Sequence, residues 1–309
     1  MVSRCVLPFY LRQNAMSDIF GIPTQVILGQ LLLGLLNGSF YAMLSLGLAV
    51  IFGLLGVVNF AHGAFYMLGA YAAWFLWGRF GVNYWVALLL APLVVGILGV
   101  GLERTFLKHL YKIDPLYGLL LTFGLSLIAE GVLRELFGSS GQSYPVPDLL
   151  KGALDVGFMI LPIYRVWVIV ASLSVCFLTW YLIECTRLGA NLRAATENPK
   201  LVQAFGINVP RMVMLTYGAG VALAAFAGVL SAPIIQVSPL MGSSLVIVVF
   251  AVVVIGGMGS ILGAILSGLS LGVIEGFTKV LYPEASNIVV FVIMAVVLCW
   301  RPSGFFGKD

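Results

Sequence analysis

Residues 19–78 read IFGIPTQVILGQLLLGLLNGSFYAMLSLGLAVIFGLLGVVNFAHGAFYMLGAYAAWFLWG. These 60 consecutive positions, bracketed by Asp18 and Arg79, hold no Asp, Glu, Lys or Arg. A second uncharged stretch, 212–274, runs for 63 positions between Arg211 and Glu275. A helix crossing the hydrocarbon layer needs about 20 apolar residues at about 1.5 Å rise each. Each stretch therefore accommodates about three crossings joined by almost no loop. A soluble domain has too little polar surface to cover so much apolar sequence. The fold class that follows is all-α: a polytopic membrane helical bundle with about 8–10 transmembrane segments, including broken helices.

The rest of the chain agrees. Of its 309 residues 61% are hydrophobic and 9% charged, against roughly 25% charged in soluble domains. The net charge is +4 with no basic run, which excludes nucleic acid as a partner. Cys5, Cys176, Cys185 and Cys299 show neither CxxC nor CxxH spacing, so no metal, haem or redox motif is supported. Cys176 and Cys299 lie in apolar runs and read as buried thiols. Residues 1–18 form an N-terminal extension expected to be disordered. The apolar run from Cys5 to Leu11 is short and broken by Pro8, unlike a signal peptide, and Met16 is an alternative start.

Apolar runs between charges predict ten segments, near 24–42, 44–58, 61–78, 82–102, 116–137, 163–184, 212–232, 244–256, 260–276 and 285–300. Arg104, Lys108 and Lys112 follow the fourth. Arg187, Arg193, Lys200 and Arg211 fill the loop after the sixth, and Arg301 and Lys308 end the chain. Ten crossings with both termini cytoplasmic put all three groups inside. An eight-segment reading also works if short segments merge in pairs. Loop 138–162, opening SSGQSYPVP from Ser139, then lies outside. Glu103 and Arg104 are expected to be solvated at the inner boundary. Both uncharged stretches hold a short helix, an interruption and a further helix, a pattern that reads as two structurally related halves.

The first interruption is Gly53-Leu-Leu-Gly-Val-Val-Asn59-Phe-Ala-His62-Gly63. His62 is the only side chain in that stretch that titrates near neutral pH. Polar groups at membrane depth face a cavity or the bundle interior. Asn59, His62 and Gly63 therefore read either as wall of a translocation path or as a structural turn bonded to backbone. The second, Gly256-Gly257-Met258-Gly259-Ser260, puts three glycines in four positions, which breaks a helix. It reads as a tight turn or as cavity lining through Gly256, Gly257 and Gly259. Gly34/Gly38 and Ala224/Gly228 are small-xxx-small pairs that read as helix packing. Glu130/Arg134 and Glu275/Lys279 read as i,i+4 pairs.

The sizeable cytoplasmic element is loop 185–211, in which Asn198 suits an N-cap, Pro199 the first helical position and Gly206 the stop. A two-turn helix over Pro199–Phe205 carries an apolar stripe of Leu201, Val202 and Phe205. Either its own bundle or a groove on a partner protein covers that stripe.

Three stretches together resemble the permease subunits of branched-chain amino acid importers of the ATP-binding-cassette (ABC) class. They are Gly34-Leu-Leu-Asn-Gly-Ser-Phe-Tyr-Ala-Met43 with Val58-Asn-Phe-Ala-His-Gly63 and Met67-Leu-Gly-Ala-Tyr71; Arg193-Ala-Ala-Thr-Glu-Asn-Pro199 through Gly206-Ile-Asn208; and Val254-Ile-Gly-Gly-Met-Gly-Ser260 with Arg301-Pro-Ser-Gly-Phe-Phe-Gly307. The resemblance implies a permease domain over 19–309 in a bacterial-type inner membrane. It implies coupling of ABC ATPase subunits through Glu197, Asn198, Pro199, Leu201, Val202, Phe205 and Gly206. It also implies a second permease, paralogue or copy, and an extracytoplasmic solute-binding protein that delivers a branched-chain or related amino acid. No GxxxxGK[ST] loop is present, so ATP hydrolysis is expected on separate subunits. No catalytic constellation or cofactor motif is found, so the chain reads as a transport subunit and not an enzyme. The alternatives are an ion-coupled secondary transporter, a passive channel and, more remotely, a membrane enzyme using His62.

Overall fold

The computed structural model describes residues 23–56, 59–111, 114–157 and 159–307. The N-terminal extension 1–18 and the side expected for the N-terminus thus lie outside the described residues. Among the described residues are eleven helices: α1 Thr24–Leu55, α2 His62–Phe80, α3 Tyr84–Leu110, α4 Pro115–Phe137, α5 Ile163–Glu184, α6 Arg187–Glu197, α7 Pro199–Ala204, α8 Val209–Ser231, α9 Met241–Gly256, α10 Ile261–Leu281 and α11 Val289–Trp300. Six of them are long and apolar enough to cross a membrane. A small antiparallel hairpin, β1 Ala153–Asp155 and β2 Ile160–Pro162, pairs Leu154 with Leu161 inside loop 138–162.

The first two predicted segments are one helix. Nothing at 42–44 breaks it; the expected boundary came only from dividing the stretch by bilayer thickness. At about 48 Å, α1 exceeds the roughly 30 Å hydrocarbon layer. It does so because protein, not lipid, surrounds it: from Leu36 to Ile51 nearly every residue is buried. Such a core helix has no reason to be amphipathic. It ends at Gly56, whose φ of +63° lets its N–H close back on the Phe52 carbonyl. With this merger nine helical segments stand where ten were expected, and the parity argument for the N-terminus lapses.

Glycine rows hold α1 against antiparallel α10. A Cβ on Gly34 would sit 2.7 Å from the Gly272 carbonyl oxygen, and one on Gly38 would sit 2.9 Å from that of Leu269. Without hydrophobic drive between helices in lipid, such close backbone approach supplies the packing energy. Gly34 and Gly38 do the packing their spacing suggested, and Gly228 does the same against Tyr66 on α2. Cys176 is buried as expected, whereas Cys299 is exposed on α11.

α3 continues past Leu102 through a π turn, Glu103–Leu107. The turn opens on Glu103, which is 3% exposed and accepts a hydrogen bond from the Tyr111 hydroxyl at 3.0 Å. The expectation that Glu103 is solvated is thereby corrected; Arg104 remains exposed.

One end of the bundle gathers the end of α1, the end of α5, α6 and the 257–260 turn, which share a crevice lined by Gly53, Glu184, Arg193 and Gly259. The C-terminal tail reaches the same place, with Phe305 and Phe306 N–H groups bonded to the carbonyls of Ile255 and Gly256. α3 runs antiparallel to α8, which brings Arg104 and Lys108 to this end as well. The first turns of α1 lie at the opposite end, where Gly29 faces Met159 of loop 138–162.

Candidate functional site

At the basic end α6 and α7 form a jointed arm around Asn198. Its N–H closes α6 on the Ala194 carbonyl, and its Oδ1 caps α7 by accepting from Leu201 N–H at 3.0 Å. Pro199 occupies the first position of α7. The helix closes at Ala204, so Phe205 is its cap residue and not its last turn, and Gly206 follows at φ +86° with open space around it. The predicted stripe divides. Val202 is 6% exposed and packs with Ala195 and Val209. Leu201 is 55% exposed and Phe205 78%, uncovered by the chain itself. Glu197, Asn198 and Pro199 are exposed beside them.

The arm meets α5 at two residues one turn apart. Gly189 lies so close to α5 that a Cβ would run into the Ile183 carbonyl oxygen. Arg193 Nη1 donates to that same oxygen at 2.8 Å and to Glu184 Oε2 at 3.1 Å. The last carbonyls of a helix lack partners within it and carry its negative pole, so a guanidinium there is favoured.

The membrane interruption is built differently. His62 Nε2 lies 3.0 Å from the Leu44 carbonyl oxygen. Leu44 sits about 16 Å along α1 from its C-terminus, so the chain turns back into the bundle before α2 starts. Asn59 organises this turn: its Nδ2 donates to Tyr217 Oη at 3.0 Å, and its Oδ1 accepts from Ala61 N–H at 3.1 Å. The Phe60 N–H donates to Thr122 Oγ1. Asn59 and His62 are 2% and 1% exposed and so lie in closed core. Gly63 meets Gly242 of α9, and a Cβ on either would run into the other's carbonyl oxygen. The first turns of α2 and α9 therefore interlock deep in the bundle.

At the second interruption Gly256 packs on Gly263, and Gly257, at φ +100°, lies against the tail at Gly307. Gly259 faces Gly53 and lines the crevice under α6. The six residues expected along a path are thus separated, with Asn59, His62 and Gly63 in the core and Gly256, Gly257 and Gly259 at the basic end. Sequence reasoning missed Gly189, Gly242, Glu103 and Tyr217. Pro239 shortly before Gly242 was a usable start signal for α9; the other three carry no local mark.

At the opposite end Tyr144 is buried against Trp77 and Tyr84, and burial pushes its hydroxyl up to about 12, assisted by the Tyr84 hydroxyl. Asp148 accepts from Lys151, which lowers its carboxyl below the ordinary range.

Apolar helices broken within the core, with an uncovered arm at the basic end, define a polytopic membrane protein built in the manner of solute permeases. The family model described as "Branched-chain amino acid transport system / permease component" matches residues 30–298, and the chain belongs to this family. It is 32% identical over 296 residues to the high-affinity branched-chain amino acid transport system permease protein BraD of Pseudomonas aeruginosa, covering 91% of this chain and 96% of that one. It is 31% identical over 297 residues to the permease protein LivH of Escherichia coli K12, with the same coverage. LivM of E. coli K12 is 28% identical over 291 residues, 85% of this chain and 67% of that protein. Among solved structures, PsaBC from Streptococcus pneumoniae in complex with Fab matches at 12% identity and a TM-score of 0.46, covering 89% of this chain and 91% of that one. At that distance it carries no argument about the site.

Proposed function

We propose that this chain is a permease subunit of an ABC importer in a bacterial-type inner membrane, carrying branched-chain or related amino acids. The observation that carries the reading is the exposed pair Leu201 and Phe205 on a short capped helix at the basic end, in a chain of this family. The excess of Arg and Lys at that end supports a cytoplasmic side for it and for the C-terminus. Loop 138–162 and the start of α1 then face outward.

ABC ATPase subunits grip α7, with Leu201 and Phe205 filling an apolar groove and Glu197, Asn198 and Pro199 shaping the approach. Val202 ties the helix to its own bundle, and Gly206 lets the chain turn into α8. Closure of the ATPases on ATP moves the arm and rocks the helices between outward- and inward-open states, a rigid-body switch between discrete packings. The Asn59–Gly63 turn is the packed pivot of that motion, and the Gly256–Gly259 turn borders the inner mouth. A solute-binding protein lands on the outer face and delivers the amino acid. The second permease is a paralogue, in keeping with the likeness to both LivH and LivM; a second copy is the alternative.

The test is co-expression with the ATPase subunits and reconstitution in vesicles. Leu201→Asp with Phe205→Asp is expected to leave the permease inserted and monodisperse, lose the co-purifying ATPase and abolish uptake driven by ATP. Uptake by that variant at the wild-type rate, or concentrative uptake without any ATPase, would overturn the reading.

A further inference from the structure

The arm must pass its displacement to the membrane helices; α6 packs beside α1, and its links to α8 and α5 are of unequal stiffness. Toward α8 the link runs through Gly206, where a Cβ would meet nothing within 4 Å and the backbone is left-handed, and through a small apolar cluster of Ala195, Val202 and Val209. A glycine in open space bends readily. Toward α5 the link is backbone against backbone. Gly189 abuts the Ile183 carbonyl oxygen, and Arg193 donates to the same atom and to Glu184. A charge-assisted bond to a carbonyl that its own helix leaves free is short and directional. α6 and α7 share Asn198 in continuous hydrogen bonding, so a push on α7 reaches Gly189 and Arg193 with little slack.

We propose that Gly189 and Arg193 form the joint that transmits ATPase-driven motion from the arm to α5, with Arg193 a positioning residue for coupling. This rests on the ABC-permease reading above. The Ile183 carbonyl matters more than Glu184, because the Arg193–Glu184 pair is about half exposed on both sides and such pairs hold weakly.

The experiment uses the whole complex with its ATPases and loaded binding protein, scoring ATPase co-purification, ATP turnover and uptake. Arg193→Ala is expected to keep the ATPase bound and hydrolysing while uptake per ATP falls at least about tenfold, since a slack joint wastes the stroke. Arg193→Lys, which retains one charged donor but not the fork, is expected to recover part of the loss. Unchanged uptake per ATP in Arg193→Ala overturns the joint. Loss of co-purification in step with uptake also overturns it, because Arg193 would then only fold the docking surface. Failure of the wild type to hold any ATPase would instead sink the ABC reading itself.

Discussion

The two glycine-rich interruptions resemble each other as sequence and differ as structure. At Gly56–Gly63 the chain leaves α1 by a left-handed turn and dives back into the core, where Asn59, Thr122, Tyr217 and the Leu44 carbonyl meet its polar groups. At Gly256–Ser260 the chain stays near the basic end, and its glycines make room for another segment, the C-terminal tail. A glycine run at membrane depth thus reports that backbone must come close to something. What it approaches, another helix inside the bundle or a strap at its rim, depends on residues far away in sequence.

Breaking the inner interruption should cost most. Gly63→Val forces a branched side chain onto the Gly242 carbonyl, and neither backbone can yield alone. The expected destabilisation is at least about 3 kcal/mol, read as loss of the monodisperse species or a large drop in Tm in detergent. Gly242→Val should match it, because the contact is reciprocal; an unchanged Tm in either would refute the interlock.

The interruption at the basic end should give way more locally. Gly257→Val meets a φ of +100° and the backbone at Gly307, so the tail should release at a cost of about 2 kcal/mol. Limited chymotrypsin digestion should then cut after Phe305 or Phe306 much faster than in the wild type while the helices persist. Cooperative unfolding of the whole chain instead would show that the tail is part of the core.

Asn59→Ala sharpens the contrast between polar and glycine roles. It removes the partner of Tyr217 and the acceptor of Ala61, and buried orphans of this kind cost about 1–3 kcal/mol; thermal unfolding should place it below Gly63→Val.

The smallest stability effect lies outside both interruptions. Gly206→Ile strains one left-handed residue in open space, about 1–2 kcal/mol at most. Uptake should nevertheless collapse with the protein still inserted, because the turn from α7 into α8 is lost. Normal uptake and normal ATPase stimulation would remove α7 from the coupling role.

Much was legible along the chain. The uncharged stretches set the membrane class, and Asn198, Pro199 and Gly206 marked α7 to within a residue, because caps are local chemistry. Two kinds of feature were not legible. One is length: a helix buried in protein escapes the bilayer's ruler, so α1 was cut in two. The other is pairing across the fold. Gly63 needs Gly242, Asn59 needs Tyr217 and Gly257 lies against Gly307; no single segment holds both members of such a pair.

Helices α4 and α5 are mostly exposed along their lengths, whereas α1 is shielded. Changes in acyl-chain length will therefore be felt as hydrophobic mismatch by α4 and α5 and hardly at all by the central helix, and they will be answered by tilt. α5 is also the helix that Gly189 and Arg193 grasp. Lipid composition thereby gains a mechanical handle on the transport cycle, and the same protein should turn over at different speeds in thin and thick bilayers.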